Sequence, residues 1–204
     1  VEAQRRRVGG WELGLSHRHG FGRAMMDGGV AYRRGTGAFG SRTAPEEIFG
    51  EGSSRFALVA ADADWTMPWR AGESRGQIRL QGRAQWNRTP LIPQDRFAIG
   101  GRYTVRGFDG EQVLLAERGA LLRTELSLQS PVDPVQAFIG LDHGEVGGAS
   151  AARLAGRRLT GMALGVRGSV WRTQWELFVG APLHRPATFH AARAIGGFQL
   201  VWSY

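Results

Sequence analysis

Apolar and polar side chains alternate along this chain with a period of two. Between residues 77 and 87, Ile78, Leu80, Gly82, Ala84 and Trp86 alternate with Gln77, Arg79, Gln81, Arg83, Gln85 and Asn87. Successive side chains of a strand point to opposite faces, so one face here is apolar and the other polar. A soluble strand commonly runs ~5–6 residues, whereas a barrel strand tilted through a bilayer needs ~9–11. Residues 57–67 set Ala57, Val59, Ala61, Ala63, Trp65 and Met67 against Asp62, Asp64 and Thr66. Residues 119–128 set Ala120, Leu122, Thr124, Leu126 and Leu128 against Arg123, Glu125 and Ser127. Residues 171–181 set Trp171, Thr173, Trp175, Leu177, Val179 and Ala181 against Arg172, Gln174 and Glu176. Weaker copies lie near 10–18, 23–34, 135–146 and 158–167, and a last strand runs through about 195–204. The pattern predicts about nine strands and no helix of comparable length.

The connections alternate in length. Short turns are predicted near 18–22, 70–76, 129–134 and 168–170, and long Gly-rich or polar loops near 36–53, 88–117, 147–157 and 183–194. An up-and-down barrel of the bacterial outer membrane has short periplasmic turns and long outer loops. A soluble sandwich has no reason to keep that parity. The expected fold is therefore all-β: a transmembrane antiparallel up-and-down β-barrel, or a portion of one, whose last residue ends on the periplasmic side. Phe198, Leu200, Trp202 and Tyr204 share one face of the last strand, which suits an interfacial aromatic girdle.

Composition narrows the picture a little. There is no cysteine among 204 residues, so no disulfide and no thiolate metal site can form. The net charge is +8, with all 26 basic residues arginine. A nucleic-acid surface would need these clustered, but the one tight run is Arg5, Arg6 and Arg7, and the rest are scattered along the polar strand faces. Neither a nucleic-acid partner nor a cofactor is expected. No segment reaches the ~18–20 apolar residues of a transmembrane helix. The chain starts at Val1 with no secretory leader, so a mature product or a fragment is expected.

The longest predicted loop holds the most specific motif. Gly100-Gly101-Arg102-Tyr103-Thr104-Val105-Arg106-Gly107-Phe108 resembles the signature loop of the two-partner secretion transporters (TpsB), the haemolysin and filamentous-haemagglutinin secretion and activation proteins. The resemblance implies that the loop, about 88–117, folds back into the barrel lumen. It also implies that Arg106 pairs with an aspartate on the inner wall. The matching downstream motif is Gly140-Leu141-Asp142-His143-Gly144, which puts Asp142 and Gly144 on the inward parity of their strand. Thr89 to Arg106 is about 17 residues, and at ~3.3 Å each this exceeds a ~25 Å apolar band. Many relatives carry an aromatic residue two positions before the aspartate; this chain has Gly140, which leaves a packing role to Phe138 or Phe108.

The family further implies a pore that exports a large unfolded exoprotein of haemolysin, haemagglutinin or adhesin type. It implies periplasmic POTRA domains that capture this TpsA-like partner, and contacts with outer-membrane lipid, lipopolysaccharide and the barrel-assembly machinery. Residues 1–204 then correspond to the C-terminal part of the barrel, with POTRA domains and early strands absent. The terminal Phe198, Leu200, Trp202 and Tyr204 also resemble the signal by which such barrels are recognised for assembly. An assembly barrel of the BamA type is the alternative, since it shares a Val-Arg-Gly-aromatic core. A diffusion porin would lack the motif.

No catalytic constellation stands out, and an enzyme is not expected. Asp142 and His143 are adjacent on a strand and face opposite ways, which rules out a triad there. His17 and His19 share a face but have no evident third metal ligand.

Overall fold

The computed structural model describes residues 7–38, 40–131 and 134–203. Nine long strands form one antiparallel sheet. They are β1 (Gly9–Phe21), β2 (Ala24–Thr36), β3 (Ala57–Ala71), β4 (Ser74–Asn87), β7 (Arg118–Gln129), β8 (Gln136–Gly147), β9 (Arg158–Val170), β10 (Thr173–His184) and β11 (Ile195–Trp202). Two three-residue strands, β5 (Phe97–Ile99) and β6 (Leu114–Ala116), pair with each other inside the connection between β4 and β7. The sheet order is the chain order, so every strand pairs with its sequence neighbours as a meander. This agrees with the all-β up-and-down reading and its nine strands. Among the described residues β1 and β11 do not pair, and both are edges of the sheet.

Strand length follows from the alternation. Eight of the nine strands run 12–15 residues, beyond the ~9–11 that cross a bilayer, so their ends reach past the apolar band. The outward face carries Leu13, Leu15, Val30, Leu80, Leu122, Leu126, Ile139, Leu141, Leu164, Leu177, Val179 and Phe198, all exposed. An apolar face exposed on eight of the nine strands is a lipid-facing surface, since water would penalise it heavily.

Three hairpins close on two-residue turns at one end of the sheet: Gly22-Arg23, Gly72-Glu73 and Trp171-Arg172. Tight hairpins favour φ > 0 at the first turn residue, which Gly22 and Gly72 adopt at 60° and 61°. The third uses Trp171 at φ 54°, fully exposed at the turn tip. Its position corrects the predicted strand 171–181. Apolar alternation alone placed Trp171 on the lipid face, whereas Gly168 and Ser169 stay paired in the strand and move the turn two residues on. The long connections lie together at the other end. The strand ends also reach further than the patterns near 10–18 and 23–34, because pairing continues past the apolar band.

The core lies between the inner wall and the long connection. Phe97, Ile99, Val105, Phe108, Leu114 and Ala116 from that connection pack on Leu121, Val146 and Leu159 from the wall and on Phe189 from the loop after β10. The inward face of a wide barrel is polar, so this apolar cluster marks where the loop covers it.

A loop fastened to the inner wall

Residues 88–117 leave the end of β4, form a 3-10 turn at Pro93–Asp95, and enter the β5–β6 hairpin. Its stems are held from the wall, since Gln85 Nε2 donates to the carbonyls of Asp95 (2.7 Å) and Glu117 (3.1 Å). Between β5 and β6 the chain turns tightly. Thr104 Oγ1 accepts from the amides of Gly100 (3.1 Å) and Gly101 (3.0 Å), and the Thr104 amide donates to the Gly101 carbonyl (2.9 Å). This turn delivers Val105, Arg106, Gly107 and Phe108, all buried, to the sheet.

Arg106 is the centre of the contact. Its Nε and Nη2 donate to Asp142 Oδ2 and Oδ1, both at 2.8 Å, and its own backbone amide donates to Oδ2 at 2.9 Å. Nη1 donates to Glu125 Oε2 at 2.6 Å, and Nη2 also to the Thr124 carbonyl at 2.9 Å. A planar guanidinium suits this fork, where a lysine would offer one point charge. Asp142 on β8 is fully buried, and Arg123 Nε on β7 stands 3.4 Å from its Oδ2. Glu125 is held on its other side by Arg167 of β9, Nη1 to Oε1 at 2.8 Å. Glu125 and Arg167 are functional candidates the sequence reading missed. The signal was present: both lie on the polar parity of strands adjacent to Asp142, but pairing register is needed to bring them together.

The wall opposite the loop is stripped of side chains. A Cβ at Gly140 would stand 2.2 Å from Arg106 Nη2, one at Gly161 1.9 Å from the Arg106 carbonyl oxygen, and one at Gly144 2.9 Å from Ile99. Gly140, where the resemblance implied an aromatic residue, thus leaves room for the guanidinium itself. Phe138, named as a substitute packing residue, instead sits under Arg167, 5.2 Å from its guanidinium carbon to the ring centroid. Gly107 has φ 99°, a region L side chains avoid, and a Cβ there would lie 2.4 Å from the Ala181 carbonyl oxygen.

A second fastening uses Arg102. Its Nη2 donates to Glu176 Oε1 (3.2 Å) on β10 and Gln199 Oε1 (3.1 Å) on β11, and its guanidinium carbon lies 4.4 Å from the Phe178 ring centroid. Tyr103, beside it, is exposed. The far flank of the loop meets the connection after β10. Asp109 Oδ2 accepts from the Ala192 amide (2.9 Å), Gln112 Oε1 from the His190 amide (2.6 Å), and Phe108 and Phe189 meet edge to face at 5.8 Å. The Ala192 amide foremost, with those of Glu111, Asp109 and Gly110, holds the Asp109 carboxyl below the usual carboxylate range.

The terminal residues lie elsewhere. Phe198, Leu200 and Trp202 project from the outward face of β11, opposite Leu177, Trp175 and Thr173 of β10, and Tyr204 lies outside the described residues. His17 and His19 stack at 5.8 Å on the outward face of β1 beside Phe21.

A meander with an apolar outer face, and a loop ion-paired into its polar inner face, define a segment of transmembrane β-barrel with an inserted loop. The chain belongs to the family of haemolysin secretion/activation proteins ShlB/FhaC/HecB, whose pattern matches residues 1–168. It is 37% identical over 193 residues to the outer membrane transporter CdiB-2 of Burkholderia pseudomallei (strain 1026b), covering 93% of this chain and 33% of that protein. Among solved structures, CdiB from Acinetobacter baumannii superposes with a TM-score of 0.84 and 34% identity, over 100% of this chain and 35% of that one. CdiB from Escherichia coli gives 0.85 at 23% identity, over 96% and 36%, and so supports the fold alone. The chain therefore spans about a third of the length of the relatives it matches. Family membership places it in the bacterial outer membrane.

Proposed function

We propose that this chain is the C-terminal wall of an outer-membrane pore that passes a large unfolded exoprotein to the cell surface in two-partner secretion. The observation that carries this reading is the fastening of the inserted loop to two wall strands, β7 and β8, through Arg106, Glu125 and Asp142. A loop that fills the inner face must yield before an extended chain can pass. Ion pairs let it do so by exchanging partners, whereas a covalent or wholly apolar plug has no such substitute.

In this reading Gly100, Gly101 and Thr104 shape the loop tip, and Arg102 and Arg106 fasten it. Asp142 receives it, and Gly144 clears room for Ile99 and Val105 beside that carboxylate. POTRA domains in the rest of the protein capture a TpsA-like partner, and the barrel, earlier strands included, conducts it outward. Phe198, Leu200, Trp202 and Tyr204 serve as the signal to the barrel-assembly machinery. The short turns face the periplasm, and the long loops face out, towards lipopolysaccharide. The reaction is translocation; no chemical step is assigned.

The test is export of the partner exoprotein by the full-length protein carrying Arg106→Ala. Export is expected to collapse while the barrel still reaches the membrane. Normal export would overturn the reading.

A further inference from the structure

We propose that the outward face at the long-loop end of β4 and β7 binds the phosphate of an acylated lipid of the outer leaflet, with Arg118 as the phosphate ligand. Gly119 faces inward, since a Cβ there would meet Phe97 at 2.4 Å, so its neighbour Arg118 faces out. The register Gln85↔Gly119 sets Trp86 opposite Arg118. The guanidinium carbon lies 4.5 Å from the Trp86 ring centroid, so the aromatic ring holds the cation in place.

The charge on Arg118 is left unanswered. No carboxylate pairs with it among the described residues, and its Nε is buried without a hydrogen-bond partner. Glu145, which lines the same groove, is taken by Arg158, Nε to Oε2 at 3.0 Å and Nη2 to Oε1 at 3.2 Å. An arginine facing lipid at headgroup depth needs an anion, and a phosphate accepts from its planar fork in two places.

Beside the cation the surface is hollow. Ala61, Ala84 and Ala120 align across β3, β4 and β7 by register. With Val59 and Trp86 they line a groove of about 390 Å³ that reaches Arg118 and Glu145. A row of three alanines on a face otherwise built of Leu, Val and Trp makes an apolar trough, a complement to an acyl chain. An apolar trough with a stacked, unpaired cation at its outer end complements a ligand that carries both acyl chain and phosphate. The site lies at the long-loop end, so the outer-leaflet lipid, a phosphorylated glycolipid, is its occupant. This assignment rests on the orientation in the proposed function.

The experiment is native mass spectrometry of the detergent-solubilised full-length protein mixed with bis-phosphorylated lipid A, its dephosphorylated form, or phosphatidylglycerol. The wild type is expected to retain one bis-phosphorylated lipid A in preference to the other two. Arg118→Gln should lower that retention about tenfold, and Arg118→Lys should restore part of it. Ala84→Phe, which fills the trough from the lipid side, should lower it as well. Heat-modifiable migration on gels verifies that each variant is a folded barrel. Equal retention by wild type and Arg118→Gln, or equal retention of the dephosphorylated lipid, would overturn the site. Preference for phosphatidylglycerol would overturn the choice of leaflet. Export of the partner is expected to be unchanged in Arg118→Gln, so failure of this site and failure of the Arg106 fastening are told apart.

Discussion

Gly140 and Arg106 share one space: the position a Cβ would take at residue 140 is 2.2 Å from Nη2 of Arg106. The guanidinium is the end of a flexible side chain, yet it is pinned by Asp142, Glu125 and the Thr124 carbonyl. It cannot step aside without losing some of those bonds. Gly140→Val should therefore unseat the loop and cost about 2–4 kcal/mol, the scale of one or two charge-assisted hydrogen bonds. Thermal unfolding followed by the heat-modifiable gel shift reads this. An unchanged midpoint would mean that the guanidinium finds an equivalent seat.

Arg106 and Asp142 should also be strongly coupled in stability. Removing Arg106 alone leaves a fully buried carboxylate with Arg123 at 3.4 Å as its remaining charged neighbour. Breaking a buried pair in this way costs about 3–5 kcal/mol. Replacing both, as Arg106→Leu with Asp142→Leu, should cost less than Arg106→Leu alone. A double-mutant cycle in urea measures the coupling, and additive effects would contradict it.

Arg102 ties the same loop to the last two strands, but its side chain and Glu176 are each about a quarter to a third exposed, at 27% and 30%. Water screens such a pair, so Arg102→Gln should cost about 1 kcal/mol or less. Its effect should instead be local. Hydrogen exchange at the amides of β11 is expected to accelerate, while those of β8 keep their protection. Acceleration on both strands would show that the two fastenings act as one.

Asp109 gives the loop a pH dependence of known sign. The Ala192 and Glu111 amides lower its folded value below that of a free carboxylate. Its contribution is complete above the ordinary carboxylate range near ~4 and is lost as pH falls through the lowered value. Protease cleavage within residues 185–194 should thus be slow from neutral pH down to about 4 and rise below it. Asp109→Ala should make cleavage fast at neutral pH. Equal rates in wild type and variant would remove Asp109 from the contact between the loops.

How far the sequence could be read depended on the kind of constraint. A strand facing lipid on one side and water on the other must alternate along its whole length, so β3, β4, β7 and β10 were legible with their faces. The pairs within the β5–β6 hairpin were not, because three residues per strand carry no period. Glu125 and Arg167 were visible as inward polar residues, but their meeting at Arg106 is set by the registers Glu125↔Gly140 and Gln136↔Arg167. Gly140 read as a missing aromatic ring. The structure shows a vacancy filled by the inserted loop, a relation that no pattern local to β8 contains.

The two carboxylates that hold Arg106 are unequal. Glu125 keeps Arg167 at 2.8 Å when the loop leaves, whereas Asp142 gives up three hydrogen bonds and keeps one longer contact with Arg123. Of the two carboxylates at Arg106, Asp142 would therefore bear most of the loss, while Glu125 stays paired with Arg167. In the proposed pore the Arg106 contact would act as a fuse beside the Arg102 and Asp109 fastenings: its bonds to Asp142 would part, and Glu125 would stay paired with Arg167, ready to receive the same arginine again.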